Sequence, residues 1–534
     1  MGYLALVLHW HLPYVRHPEH PRFLEEDWFF EALSETYIPL LSLFERLHSE
    51  GVFYRITLSI SPTLAEMFQD ELLQNRYLAF LERMIELAGR EIRRTKDEPL
   101  LNRLAEMYLE RYRNCRQLFR ERYSCNLVNA LVHLERAGVV DLICSAATHC
   151  FLPVFQVVPQ AVKAQVQVAV QSHVRNFGSY PKGFWLPECG YYPGVEEHLK
   201  QQRLPYFFVE THGILYADER PRYGVYAPLY CPNMVAAFGR DPESAASVWS
   251  SRDGYPGDPV YRDFYRDIGY DLPLEYLEDF LPDGEIRVST GIKYHAITGA
   301  GDEKRLYNPK AAAKKLLEHA DHFVRQRIDQ CERLSTLMEQ PPLIVCPFDA
   351  ELFGHWWFEG PQWLEAVLRA MAAGFEAVRL TTPGRYLEEY PQQQIAQPCF
   401  SSWGNKGYAE VWLEGSNDWI YRHLHQQANR MSELAERFPN EKGLRKRALE
   451  QAMREMLLAE ASDWAFIMKT GTTVPYAVQR TREHIHNFTR IYESLMTGSL
   501  QQEWFLGLEH RNNLFRKIDY RCCLAPKVVL SGRC

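Results

Sequence analysis

From its third residue the chain alternates short apolar, β-prone runs with longer amphipathic stretches, and that alternation restricts it to few folds. Residues 3–8 read as a strand, and residues 38–49 carry apolar positions at helical spacing. Further strands are expected at 53–60, 139–147, 183–186, 206–209, 285–289, 343–345 and 376–380, seven or eight in all. After the second, Ser61-Pro62 supplies a helix start: a capping hydroxyl, then proline at the first helical position. Strands separated by helices pair in parallel, so the expected class is α/β, a barrel or a doubly wound sheet.

Three stretches break the alternation. Residues 63–137 are rich in Glu, Arg, Leu and Met at helical spacing, with one interruption near Pro99, and predict an inserted helical hairpin or small bundle. Residues 223–271 are rich in Pro, Gly, Tyr and Asp with little periodicity; irregular segments this long usually act as lids or binding loops. Beyond residue 401 the pattern is helical to about residue 515. The expected organisation is a catalytic barrel over 1–400, carrying the 63–137 insert and the 223–271 loop region, and a helical domain over 401–534 that contributes to the cleft.

The 534 residues carry a formal net charge of −8 and no long basic run, which argues against a nucleic-acid or anionic-membrane partner. The first nine residues lack the basic region and cleavage site of a signal peptide, and their apolar run is too short to span a bilayer. The twelve cysteines are scattered without a C-x-x-C pair, as expected of reduced thiols in a cytoplasmic protein.

Chemistry concentrates where apolar runs end. Trp185-Leu186-Pro187-Glu188-Cys189-Gly190 and Val345-Cys346-Pro347-Phe348-Asp349-Ala350 each stop a strand with proline and follow it with a carboxylate. Acids at the carboxyl ends of barrel strands face the site. Two of them are the minimum equipment for cleaving a glycosidic bond. The plainer explanation is that each acid caps a neighbouring helix. Against it stand the aromatic residues around both, above all Phe353, Trp356, Trp357 and Phe358. They would desolvate Asp349 and raise its pKa, as a general acid requires, leaving Glu188 as the nucleophile.

The first strand ends in His9-Trp10-His11, whose histidines point the same way. They would bind sugar hydroxyls and orient a carboxylate. Alternatively, with His149 and Asp349, they would hold zinc in a metal-dependent hydrolase. A third reading is two buried histidines satisfied by backbone. Trp403 and Trp412 offer a platform for glucose rings; Trp419 and Trp464 read as packing. A glucan-binding protein without catalysis is the remaining alternative.

Together these blocks resemble glycoside hydrolase family 57, most closely its 1,4-α-glucan branching members. The matches are His9 to Tyr14, His149, Trp185 to Tyr191, Gly254 to Asp258, Tyr265 to Gly269, Thr290 to Tyr294, Pro347 to Trp357 and the Trp403 loop. The resemblance implies an incomplete (β/α)7 TIM-like barrel with an inserted helical region and a C-terminal all-helical domain. It implies an α-1,4-glucan substrate, no cofactor or metal, and transfer to a 6-hydroxyl; amylase and 4-α-glucanotransferase are the alternatives within the family. It assigns Glu188 as nucleophile and Asp349 as proton donor, and places glucan contacts at Arg266, Gly284, Trp403 and Asp463. Branching members also carry a shielding tyrosine on a mobile loop, for which Tyr226 and Tyr230 are the candidates. Tyr230, between Pro228 and Pro232, is the expected tip.

Overall fold

A computed structural model describes residues 1–249, 254–281, 286–299, 301, 304–374 and 377–524. The strands are β1 (Gly2–Trp10), β2 (Ile56–Ile60), β3 (Val140–Ser145), β4 (Phe184–Trp185), β5 (Tyr206–Val209), β6 (Leu229–Tyr230), β7 (Ala236–Gly239), β8 (Leu343–Asp349), β9 (Val378–Leu380) and β10 (Gln394–Ile395). Seven of them pair in parallel in the order β7-β5-β4-β3-β2-β1-β8, a curled, incomplete barrel. All nine residues of β1 are buried, as in a strand covered on one side by barrel interior and on the other by helices. Registers Val7↔Thr57 and His9↔Asp349 align the strand ends, so the chemistry-bearing residues beyond them emerge at one rim.

The two ends of the seven-strand parallel run, β7 and β8, are bridged by Asp241. The Asp241 amide donates to the Val345 carbonyl at 2.9 Å. Its carboxylate, 1% exposed, accepts from the Ser244 amide at 2.7 Å and Gln330 Nε2 at 2.8 Å, and faces Arg327 Nη1 at 3.5 Å. Arg327 and Gln330 lie on the long helix Pro309–Ser335, so a buried ion pair fastens that helix over the open seam.

Two expectations are corrected. Residues 286–289 form no strand, and residue 285 lies outside the described residues. Instead the Asp267 carboxylate accepts from Ser289 Oγ, the Thr290 amide and hydroxyl, and the Gly291 amide, all at 2.8–2.9 Å. Local side-chain acceptors outcompete sheet pairing for those donors. The 223–271 segment is not one loop either. Its first part holds β6 and β7 and runs along the barrel; only the residues after Gly239 reach the rim where Asp349 lies.

The expected insert forms helices Pro62–Phe68, Glu71–Arg94, Pro99–Gln117 and Val128–Arg136. Ser61 Oγ caps the first by accepting from the Leu64 amide, and Asp70 caps the second by accepting from the Leu73 amide. Five α-helices between Tyr421 and Arg511 make the C-terminal region. They lock onto the exit of β3, where the Ser462 amide donates to the His149 carbonyl at 3.0 Å and Gln165 Nε2 donates to Glu460 Oε2 at 2.8 Å. Among the described residues no helix is long and apolar enough to cross a membrane.

Asp241→Ala would strip Arg327 of its buried partner and leave it only the exposed Glu243 at 3.8 Å. It should cost about 3–5 kcal/mol in urea unfolding, as loss of one member of a buried ion pair typically does. Asp241→Asn, which keeps an acceptor, should cost less. A neutral Asp241→Ala would show that the seam needs no fastening.

Candidate active site

Glu188 does not sit on a strand. It lies just beyond β4 in the tight turn Pro187–Cys189, and its backbone is left-handed, with φ 61° at Glu188 and 50° at Cys189. Such backbone costs on the order of 1–3 kcal/mol and survives only where its surroundings enforce it. Here a strap from the C-terminal side does so. The Tyr191 amide donates to the Ser401 carbonyl at 2.8 Å, the Ser401 amide returns a bond at 3.2 Å, and the Trp403 amide donates to the Glu188 carbonyl at 2.9 Å. The same strap brings Trp403 Nε1 to within 2.7 Å of Glu188 Oε2. The other carboxylate oxygen, Oε1, lies 3.2 Å from Ser462 Oγ.

Asp349 is the last residue of β8, beside His9. Burial raises both acids: Glu188 to about 7, and Asp349 to about 7 with the negative charge of Glu188 adding to the effect. Burial thus fails to separate their roles as the aromatic run after Asp349 suggested. Hydrogen bonding separates them. The charged form of Glu188 receives two donors, whereas Asp349 receives no side-chain hydrogen bond among the described residues. Those donors oppose burial within the net shift of Glu188, while the negative charge of Glu188 in turn favours the proton on Asp349. Glu351, two residues on, is also pushed up, to about 8, by burial and then by Asp349; Tyr37 Oη donates to it at 3.4 Å.

The histidines come together at the end of β1. His9 and His149 are 3% and 2% exposed, and burial holds both well below the ordinary imidazole pKa. Their Nε2 atoms are 2.9 Å apart, while His11 Nε2 lies 3.1 Å from Asp463 Oδ1. One nitrogen each of His9, His11 and His149 falls within 4.8 Å of the others, close enough for the metal reading to be a fair test. The Nε2 atoms of His9 and His149 bond to one another and His11 Nε2 to Asp463, while the buried His11 Nδ1 has no partner among the described residues.

Comparison with known proteins fits this geometry. Residues 5–398 match the profile of Glycosyl hydrolase family 57, and residues 423–522 that of the 1,4-alpha-glucan branching enzyme, C-terminal. The chain belongs to glycosyl hydrolase family 57. It is 34% identical to the 1,4-alpha-glucan branching enzyme TK1436 of Thermococcus kodakarensis, over 97% of this chain and 78% of that protein. Among solved structures it is similar to the alpha-amylase AmyC from Thermotoga maritima, with TM-score 0.92 and 42% identity over 98% of this chain and 99% of the other. It is also similar to the GH57-type branching enzyme from Pyrococcus horikoshii, with TM-score 0.88 and 31% identity over 98% and 97%.

A cavity of about 790 Å³ is lined by Trp249, Arg266, Tyr270, Trp356 and, three residues beyond Asp349, Leu352, among others. Arg266 is thus on the cavity wall, its Nε 3.0 Å from Asp271. Gly284 lies outside the described residues. Trp412 is corrected: it is 1% exposed and stacked on Phe151 at 4.7 Å, with no face open to a sugar. Trp249, on the cavity rim 6.4 Å from Trp403, is 38% exposed and takes its place as an aromatic surface. Tyr230 is corrected too. It lines a different cavity with Asp141 and Tyr206, which lie near the starts of β3 and β5 at the opposite end of the barrel. The Tyr226 carbonyl accepts from the Leu343 amide at the start of β8. Neither tyrosine reaches the acids.

Sequence reasoning missed Arg240, Ser462 and Glu351. Arg240 directly follows β7, pairs with Glu210 Oε2 at 3.0 Å and stands 5.7 Å from the Trp403 ring. Only Ser462 and Glu351 had a visible signal, being neighbours of Asp463 and Asp349.

Because burial holds the folded pKa of Glu188 above its unfolded value, the folded state keeps that proton longer. The resulting stabilisation is complete below pH 4.5 and is lost as pH rises through about 7. Glu188→Gln cannot ionise and should exceed wild type in urea-unfolding stability at pH 8 by roughly 1–3 kcal/mol, since one pKa unit corresponds to about 1.4 kcal/mol. The gap should close toward pH 4.5; a gap that is constant with pH would contradict a desolvated Glu188.

Proposed function

We propose that this family-57 enzyme is a 1,4-α-glucan branching enzyme, a transferase of carbohydrate metabolism working by retaining double displacement. The observation that carries the reading is the buried Glu188–Asp349 pair, in a chain that matches branching enzymes along almost its whole length. Glu188 attacks the anomeric carbon of an α-1,4 linkage while Asp349 protonates the departing 4-oxygen, which releases the reducing-end chain. Asp349, now ionised, takes the proton of an acceptor's 6-hydroxyl, whose oxygen displaces Glu188 and closes an α-1,6 branch with retained configuration. His11, Asp463 and Arg266 offer polar contacts to the glucan. No step calls for a metal or cofactor. The substrate is amylose or a glycogen-like glucan, and the setting is glycogen-type synthesis in the cytoplasm, where reduced cysteines persist; every described cysteine is free.

The second reading, an α-amylase, is favoured by the similarity to AmyC and by the absence of Tyr226 and Tyr230 from the catalytic rim. What separates the two is water. A glycosyl-enzyme must wait for a bulky acceptor while excluding a far more concentrated nucleophile. We assign that exclusion to the segment after Gly239, with Trp249 at its edge, in place of Tyr230.

Incubation with amylose and subsequent debranching decides the matter: new α-1,6 linkages are expected, and reducing sugar without branches would leave an amylase. Glu188→Ala and Asp349→Ala should each abolish most turnover, general acid catalysis alone contributing about 10²–10⁴-fold. Trp249→Ala should raise hydrolysis relative to branching by several-fold with the fold intact. An unchanged ratio would remove Trp249 from the water barrier.

A further inference from the structure

Behind Glu188 runs an unbranched series of hydrogen bonds that ends inside the barrel. Glu188 Oε1 is 3.2 Å from Ser462 Oγ, which is 2.9 Å from His149 Nδ1. His149 Nε2 is 2.9 Å from His9 Nε2, and His9 Nδ1 is 3.0 Å from Ser59 Oγ. Ser59 and Ser462 are 0% and 3% exposed, so the series has no outlet to water.

Each member except the last has one proton to offer and one neighbour to offer it to. A neutral imidazole carries a single N–H, and which nitrogen bears it is set by the partner of the other. An ionised Glu188 can only accept. Ser462 then donates to it and must accept from His149 Nδ1–H. That leaves His149 Nε2 bare, to accept from His9 Nε2–H, and leaves His9 Nδ1 to accept from Ser59. One end dictates the whole direction.

The far side of Glu188 makes the direction switchable. Trp403 Nε1 is a donor only, so Oε2 must remain an acceptor in every state. The amide nitrogen of a glutamine there cannot accept from Trp403 and so faces Ser462 and donates to it, as does a protonated Glu188 whose carbonyl oxygen stays on Trp403. Ser462 would then donate to His149 Nδ1, His149 Nε2–H to His9 Nε2, and His9 Nδ1–H to Ser59.

We propose that Ser462, His149, His9 and Ser59 form a directional relay of positioning residues. It holds two opposite tautomeric states, one matched to an ionised Glu188 and the other to a neutral one. The nucleophile is thereby braced in its charged form without a buried cation, which would have trapped it in an ion pair and blunted its attack. This inference rests on the site geometry and on Glu188 as the reacting carboxylate, and it holds equally for a branching enzyme or an amylase.

The test reads tautomers directly, by 15N NMR of histidine-labelled full-length protein, with the two residues assigned from His9→Gln and His149→Gln variants. In wild type at a pH where Glu188 is ionised, His149 should carry its proton on Nδ1 and His9 on Nε2. In Glu188→Gln both should invert. In Ser462→Ala, where the relay is cut, Glu188→Gln should leave the tautomers of His149 and His9 unmoved. Activity supplies an independent readout: Ser462→Thr should retain most of kcat/KM, and Ser462→Ala should lose about 10-fold or more. The proposal is overturned by tautomers that are the same in wild type and Glu188→Gln, by either ring being doubly protonated in wild type, or by inversion that persists without the Ser462 hydroxyl.

Discussion

Two partly buried carboxyl groups, Glu188 and Asp349, raise one another's cost of ionisation, and the remaining architecture is what makes that tolerable. Burial is the largest influence on both Glu188 and Asp349 and works against the ionised form of each. The barrel cannot cure this, because its strands present side chains at one rim and few free donors. The donors come from outside it, Trp403 from the strap after the sheet and Ser462 from the start of a C-terminal helix. Both act on Glu188 and leave Asp349 unassisted, so the asymmetry that double displacement requires is imposed by the C-terminal part of the chain.

That dependence explains where the molecule tolerates unfavourable local geometry. The left-handed turn at Glu188 and Cys189 is held by three backbone bonds from residues 401–403. Gly354, at φ 120°, lets the segment after Asp349 lie against the Glu35 carbonyl, where an added Cβ would come within 1.9 Å of the oxygen. Glu35 belongs to the π-helical turn Leu33–Tyr37, which also supplies Tyr37 to Glu351. Irregular backbone of this kind gathers at functional sites because it aims side chains that regular elements would turn away.

The relation to an amylase and to branching enzymes arises from the same construction. Hydrolysis and branching share the first displacement and differ in which hydroxyl completes the second. The shared step uses the acids and their donors; the difference resides in whatever covers the cleft. The segment proposed above to exclude water begins after Gly239, next to the seam fastened by Asp241 and Arg327.

The alternation of apolar runs and amphipathic stretches determined the class of fold, since few arrangements bury so many short strands linked by helices. The motifs around His9, Glu188 and Asp349 determined the chemistry, because strand-end acids and histidines two apart have few other uses at a barrel rim. Tertiary structure decided the rest. Trp412 and Trp403 look alike in sequence, yet one stacks on Phe151 while the other donates a hydrogen bond to Glu188. Tyr230 lies in a turn-prone run that folds to the far end of the barrel, because β6 and β7 carry it there. Arg240, Ser462 and Ser59 gain meaning only from neighbours distant in the chain. Periodicity and motif spacing report local order, whereas which face a side chain meets depends on contacts between segments hundreds of residues apart.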